Sequence, residues 1–476
     1  MRFAISFAFL LSTTTFACAN TFSYAIVVSS DTKEKSDWSE VVSVLEKKYP
    51  KATTIVWNTS PKEVLEALSD IHPQYSCFVA RPDEVTREFV ASVHRLTRDL
   101  DSDPYCDTLW GILTGYDAAN ALRIASNEQP LTIDRVAAGT EIALSQCKEG
   151  VWYDELEQYK QVEKKVGAAI TQLEGPADTT LALANTLRDD YTDLFVTSGH
   201  ATERNWQIGF RYKNGYFQSE SGKMFGRPTS GNRFRIQSTN PKVYLAVGNC
   251  LMGHIDGPDA MALAWMNDIN VHQMVGYTVL TWYGYGGWGV LDYFVEQPGR
   301  YSLAQAFHAN QHALIHRIDT CFPELTGRLI SPGSRSLPSA KPNELGLNLG
   351  LTDFDSQGLL WDRDTVAFYG DPAWKSVMAD LPKAYEQCLT MENGIHTLTI
   401  TPMKGIESFN PININGSQRG GRPIIEFIPQ RIEKATIIEG ENFEPVITDD
   451  FILVPNHAAK NHGKELVIRF RADFRK

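Results

Sequence analysis

An α/β fold, a parallel sheet in two subdomains followed by a small β-sandwich, is what this 476-residue sequence predicts. Three observations carry the prediction. From Tyr24 to Ser126, short apolar runs alternate with amphipathic stretches in a βαβα rhythm, the signature of a parallel sheet covered by helices. Two later runs, Asp193 to Thr197 and Val243 to Val247, are almost wholly apolar and are closed by glycine, as strands buried on both faces are. From Ile395 onward no helical pattern intervenes between short strand-like runs and turn residues.

The chain begins with a short positive region, Met1-Arg2, then an apolar stretch from Phe3 to Leu11 and Ala17-Cys18-Ala19. This pattern predicts a secretory signal peptide over residues 1–19, cut before Asn20, and an exported protein: secreted, periplasmic or at the cell surface. A lipoprotein reading, with Cys18 as the lipidated residue, ranks second because Thr15 and Phe16 fit it poorly, but cell-surface or lipid anchoring stays open. No later stretch reaches transmembrane length.

Residues 20–150 are expected to form the first subdomain. Strands are predicted at Tyr24–Ser29, Thr54–Trp57, Ser76–Ala80 and Thr108–Leu113, and helices at Trp38–Lys47, Pro61–Ser69, Arg87–Leu96 and Ala118–Ser126. Asp117 stands at the N-cap of the last helix. The pattern weakens between Gln129 and Asp154, which reads as a seam. Residues 151–390 form the second subdomain, opened by a long amphipathic stretch from Leu156 to Leu173.

The two buried strands lie in this second part. The first ends in Ser198-Gly199-His200 and the second in Gly248-Asn249-Cys250. As parallel neighbours they would bring His200 and Cys250 together beyond their carboxyl ends, where functional groups of such sheets gather. A thiol with a pKa of about 8.5 is mostly protonated at neutral pH, and an adjacent imidazole can take its proton and later give one to a leaving amine. Backbone N–H groups beside the nucleophile can hold the developing oxyanion. Against this stands the reading of Cys250 as a core thiol and His200 as a loop residue. The matching strand-glycine contexts favour the dyad.

Thr202 to Thr239 lacks clear periodicity and is read as hairpins beside a cleft. Trp282 to Gly289 is read as a glycine/aromatic turn whose Trp282 and Trp288 can wall a pocket. Residues 391–476 complete the chain as the sandwich. The net charge of −12 argues against a nucleic-acid partner. Six cysteines beyond the leader are too few for a disulfide scaffold.

The order of parts, with SGHATERNW (Ser198 to Trp206), VYLAVGNCLMG (Val243 to Gly253), GWGVLDYF (Gly287 to Phe294) and FYGDPA (Phe368 to Ala373), resembles the gingipain-type cysteine peptidases. The resemblance implies a caspase-like catalytic unit with an immunoglobulin-like sandwich behind it, a polypeptide substrate and no cofactor. It implies His200 as general base and Cys250 as nucleophile, with Asp107 orienting the imidazole. It places the oxyanion between the backbone N–H groups of Ala201 and Cys250. Two residues depart from the family pattern: Ala201 where glycine is usual after the histidine, and Asn249 before the nucleophile. Cleavage after Arg or Lys is the specificity implied, with Asp117 at the pocket base and Trp282 and Trp288 over the side-chain stem.

Two readings compete. One is a catalytically inactive relative that binds a peptide or glycan. The other is a metal-dependent hydrolase on His308, His312 and His316, which share one helix face but lack a zincin's glutamate; a polar helix face, without metal, is preferred. His254 reads as structural.

Overall fold

The structure, a computed structural model, describes residues 22–189, 192–413, 422–456 and 463–475. The expected leader, its cleavage point and Cys18 lie outside the described residues.

Twelve strands form one large sheet. In chain order they are β1 (Tyr24–Ser29), β2 (Thr53–Trp57), β3 (Tyr75–Val79), β4 (Leu109–Leu113), β5 (Arg135–Ala138), β6 (Glu149–Tyr153), β7 (Lys160–Lys164), β8 (Thr171–Glu174), β9 (Leu194–Thr197), β10 (Lys242–Ala246), β11 (Val271–Tyr277) and β12 (Val366–Tyr369). Across the sheet they run β2-β1-β3-β4-β12-β11-β10-β9-β5-β6-β7-β8. The runs that lack polar alternation, β1, β4 and β9 to β12, are buried along their whole length, as a sheet with both faces covered requires.

One reversal divides the sheet. β1 to β4 and β12 are parallel; β11, β10, β9, β5 and β6 are also parallel; β12 meets β11 antiparallel. The carboxyl ends of the two groups therefore point to opposite edges. The seam expected near residue 150 falls inside the second group, since β5 and β6 already pair on the β9 side, while the late strand β12 joins β4. The amphipathic stretch from Leu156 forms the edge ribbon β7–β8. Of its apolar residues Val162 is buried, while Leu156, Val166, Ile170 and Leu173 are exposed, so the spacing marks no core face.

The turn after β12, at the edge away from β9's carboxyl end, is tied to the second group by Gln273 Nε2 of β11, which donates to the Asp371 carbonyl (2.8 Å), and to the first group by the Asp371 side chain. Buried Asp371 of the FYGDPA stretch accepts hydrogen bonds from Tyr24 Oη (2.9 Å), Tyr49 Oη (2.7 Å), Lys48 Nζ (3.0 Å) and the Ala373 N–H (3.0 Å). Gly370 before it has φ 112°, and a Cβ there would strike the His272 carbonyl.

Helices α1 (Arg87–Arg98), α2 (Ala118–Ala125), α3 (Tyr285–Phe294) and α4 (Leu303–Cys321) are among those covering the sheet. The expected turn at Trp282–Gly289 is corrected: Tyr285 opens α3. Its glycines permit close packing, because a Cβ on Gly287 would strike the Val247 carbonyl and one on Gly289 the Asn310 side chain. The stretch from Thr202 to Thr239 is a four-stranded antiparallel sheet, as hairpins require, with Trp206 and Phe217 packed on Phe195.

The C-terminal part starts at Tyr385, slightly earlier than expected. It pairs a four-stranded sheet (385–392, 395–402, 466–474, 432–439) with a three-stranded one (424–427, 451–454, 446–447). The three-stranded sheet feeds two cores by alternation. Ile424, Ile452 and Val454 face the sandwich interior, while Ile425, Phe451 and Leu453 join the main core. Phe451 stacks on His312 of α4 at 4.1 Å, and buried Arg422 pairs with Asp292 of α3 at 2.5 Å.

Candidate active site

β9 and β10 are adjacent and parallel, with Thr197 opposite Ala246. Both chains then leave the sheet at one edge, one through Ser198-Gly199-His200 and the other through Val247-Gly248-Asn249-Cys250. Three bonds join the two turns. The Val247 N–H donates to the Thr197 carbonyl (3.0 Å). Thr197 Oγ1 donates to Asn249 Oδ1 (2.5 Å), and Asn249 Nδ2 donates to the Gly199 carbonyl (3.0 Å). Asn249 is thus a buried strut between the histidine and cysteine turns. Its fully buried amide uses both ends, so replacement by an apolar residue leaves backbone and hydroxyl partners unmet.

The glycine before the histidine is a conformational requirement. Gly199 has φ 93°, and the Trp206 indole N–H holds the preceding Ser198 carbonyl at 2.8 Å. Ala201, by contrast, is not among the residues with positive φ, so its position does not require glycine.

Cys250 is half-buried. Its Sγ accepts the Thr281 N–H at 3.2 Å, and Thr281 Oγ1 donates to the Asn249 carbonyl at 3.1 Å. The same Sγ lies 3.7 Å from the Thr281 carbonyl, to which the thiol donates. Leu251 next to it sits at φ 59°, a strained conformation for a leucine, held by its N–H bond to the Val279 carbonyl (3.0 Å). His200 is exposed and stacks on Phe210 with ring centroids 4.5 Å apart.

Beside these turns opens a cleft of about 540 Å³ whose wall includes Glu141, Asp154, Glu155, Ser198, Gly248 and Trp288. Asp154 pairs with Lys160 at 2.8 Å. Glu155 accepts from Thr140 Oγ1 at 2.9 Å, and a Cβ on Gly199 would lie 3.0 Å from Glu155 Oε2, which places this carboxylate over the histidine turn. The Glu155 carbonyl accepts the Phe210 N–H (2.6 Å), so the same residue holds the loop that carries the ring beneath His200. Sequence reasoning missed Glu155. Its only local mark is the acidic run Asp154-Glu155-Leu156-Glu157.

The other expected site residues divide. Trp288 lines the cleft, 8% exposed, and closes over Gly248. Trp282 is 39% exposed and packs outward on Phe354 at 5.1 Å, next to the Thr281 that holds the thiol. Asp117 is corrected. It caps α2 by accepting the Asn120 N–H (2.8 Å), beyond the carboxyl end of β4 and therefore at the opposite edge. Asp107 is corrected too. It precedes β4 on the right edge, but four strand spacings, roughly 19 Å, separate β4 from β9. Its neighbours are Asp101, Asp103, Asp450 and Arg431, and burial first, then Asp450, pushes its carboxyl up to about 10.

The three histidines of α4 turn to separate partners. His308 Nε2 accepts the Trp110 N–H (2.9 Å), His312 stacks on Phe451, and His316 Nδ1 meets Tyr105 Oη (3.1 Å). His254 sits between Glu203 (3.3 Å) and Arg87 (3.1 Å). The six described cysteines form no disulfide.

No protein-family model matches the chain, and no curated protein matches it. A solved structure described as "Structure of Protease" aligns with 96% of this chain and 96% of its own at 10% identity and a TM-score of 0.41, a likeness too loose to bear on activity.

Proposed function

We propose that the protein is an exported cysteine endopeptidase of the gingipain type, with His200 and Cys250 as its dyad. The observation that carries this reading is the pair of adjacent parallel strand ends whose turns are tied by Asn249. In the proposed reaction His200 takes the thiol proton and Cys250 Sγ attacks the scissile carbonyl. The oxyanion forms against the backbone N–H groups of Ala201 and Cys250. His200 then protonates the departing amine, and water, deprotonated by the same ring, hydrolyses the thioester.

The side chain before the scissile bond enters the cleft beside Gly248, under Trp288. In that cleft Glu141, Asp154, Glu155 and Glu157 outnumber Lys160 and Arg211, an acidic balance that suits Arg or Lys, and Glu155 takes the role first assigned to Asp117. The experiment is labelling by an electrophilic peptide ending in Arg. One adduct per chain at Cys250, abolished in Cys250→Ala, is expected. Adduct formation at another cysteine, or hydrolysis that survives Cys250→Ala, sinks the reading.

A further inference from the structure

The antiparallel sheet between His200 and Cys250 has an outer face that the proposed catalysis does not use. Its strands are Asn205–Gln207, Tyr216–Glu220, Lys223–Arg227 and Phe234–Ile236, neighbours in that order. Trp206, Phe217, Met224 and Ile236 are buried on the side packed toward β9. Strand side chains alternate, so the residues between them face outward. Cross-strand register sets those in rows: Gln207, Tyr216 and Arg227, then Asn205, Gln218, Phe225 and Arg235. The first two strands thus present amides, half-buried, and the last two present exposed cations, Lys223 among them. Between Arg204 and Arg235 the chain carries seven Lys or Arg against one Glu, whereas the whole chain has a net charge of −12. Such a local reversal of sign draws anions to one face. Arg235 is held by Asp268 (2.7 Å) and Arg233 by Glu220 (2.6 Å), with the Arg233 guanidinium 3.5 Å from the centre of the Phe225 ring. Lys223 and Arg227 join no ion pair among the described residues. They share a strand and a face with Phe225 between them, four residues and about 13 Å apart.

We propose that this face binds a polyuronate, a polysaccharide whose sugar rings carry carboxylates. Arg227 offers a planar fork that matches a carboxylate in two bonds, and Lys223 meets a second one farther along the chain. Asn205 and Gln218, whose amides both donate and accept, suit the ring hydroxyls on the other side of the ligand. One sugar ring cannot span the two unpaired cations, so the ligand is a chain. Two free cations that far apart suit sparse charge, one carboxylate to a ring, better than the dense charge of a sulfated glycan. A nucleic acid fits less well, because it needs open aromatic faces for its bases and Arg233 already covers one face of Phe225. The face takes nothing from the dyad, so it stands or falls apart from the peptidase reading.

The test is calorimetric titration of the full protein with alginate oligosaccharides, beside neutral dextran, heparin, oligo(dT) and polyglutamate. Alginate is expected to bind more tightly than any of the other four. Arg227→Gln and Lys223→Gln are each expected to weaken alginate binding about tenfold, as loss of a charged hydrogen bond does, and Gln218→Ala about threefold. Arg227 and Lys223 are exposed and unpaired, so the urea midpoint should not move in those two variants. Cys250→Ala should bind alginate as the parent does. No alginate binding, unchanged affinity in Arg227→Gln, or tighter binding of heparin, oligo(dT) or polyglutamate would each overturn the proposal. So would alginate binding that salt abolishes and Gln218→Ala leaves untouched, since that is diffuse attraction between opposite charges.

Discussion

The two edges of the large sheet are built on opposite principles. At one edge Asp371 is buried, and four donors from three parts of the chain converge on it. At the other, His200 is exposed, Cys250 is half-buried, Leu251 is held at positive φ, and carboxylates line an open cleft. The first edge satisfies its polar groups internally and contributes stability. The second leaves reactive groups open to a ligand and relies on Asn249 and Gly199 to keep their turns in place. Strength and reactivity are thereby separated by the length of a strand.

Substitutions at the two edges should therefore move different observables. The largest expected effect is Cys250→Ala: peptide hydrolysis falls by about 10⁴-fold or more, while the denaturant midpoint stays where it was. A large stability loss would mean that the thiol is a core residue instead. Next comes Asp371→Ala, which strands a buried Lys48 and two tyrosine hydroxyls. It is expected to cost about 3–5 kcal/mol in urea unfolding, with kcat/KM per folded molecule unchanged. If catalysis falls and stability holds, the separation of edges fails.

Glu155→Gln is a subtler probe. Loss of the cleft charge should raise KM for substrates with Arg before the cleaved bond roughly thirtyfold, about 2 kcal/mol, and spare apolar ones. An equal loss for both kinds would make Glu155 a support for the histidine loop alone.

The smallest effect per step of the perturbation, about 1.4 kcal/mol for each pH unit, concerns the helix packed beneath the sheet. Burial, opposed by the Trp110 carbonyl 3.2 Å from Nε2, pushes His308 down to about 3. Its folded value is below the unfolded one, about 6.5, so the unfolded chain binds the extra proton. Stability from the neutral ring is complete above pH 6.5 and is lost as pH falls toward 3. His308→Gln should flatten the stability–pH slope in that window by about 1.4 kcal/mol per pH unit. An unchanged slope would show that this ring does not titrate as placed.

What the sequence disclosed, and what it hid, follows from range. The β9 and β10 runs are recognisable because burial on both faces erases polar alternation, and the residues at their ends are placed by those runs alone. Strand direction is not a local property. The reversal that sends Asp117 to the far edge depends on β12, more than two hundred residues later in the chain, slotting between β4 and β11. Asp107 misled for a similar reason: it lies on the correct edge but several strands away. The GYGGWG stretch looked like a turn because its glycines suit turns, whereas here they let α3 lie against Val247 and Asn310. Glu155 was hidden in a stretch with weak periodicity, where the only readable property was charge.

The place of β12 also sets a timetable. Ribosomes deliver the chain from its N-terminus, and β1 to β4 can pair as soon as they emerge. β12 occupies the middle of the sheet yet comes from residues 366–369, so the β4 and β11 groups cannot be joined until more than three quarters of the polypeptide exists. Such long-range pairing makes the closing step slow. A nascent or truncated chain can carry both His200 and Cys250 and still lack the central strand. If the chain has the peptidase activity proposed above, late assembly would keep the synthesising cell's own proteins out of reach until the chain is nearly complete.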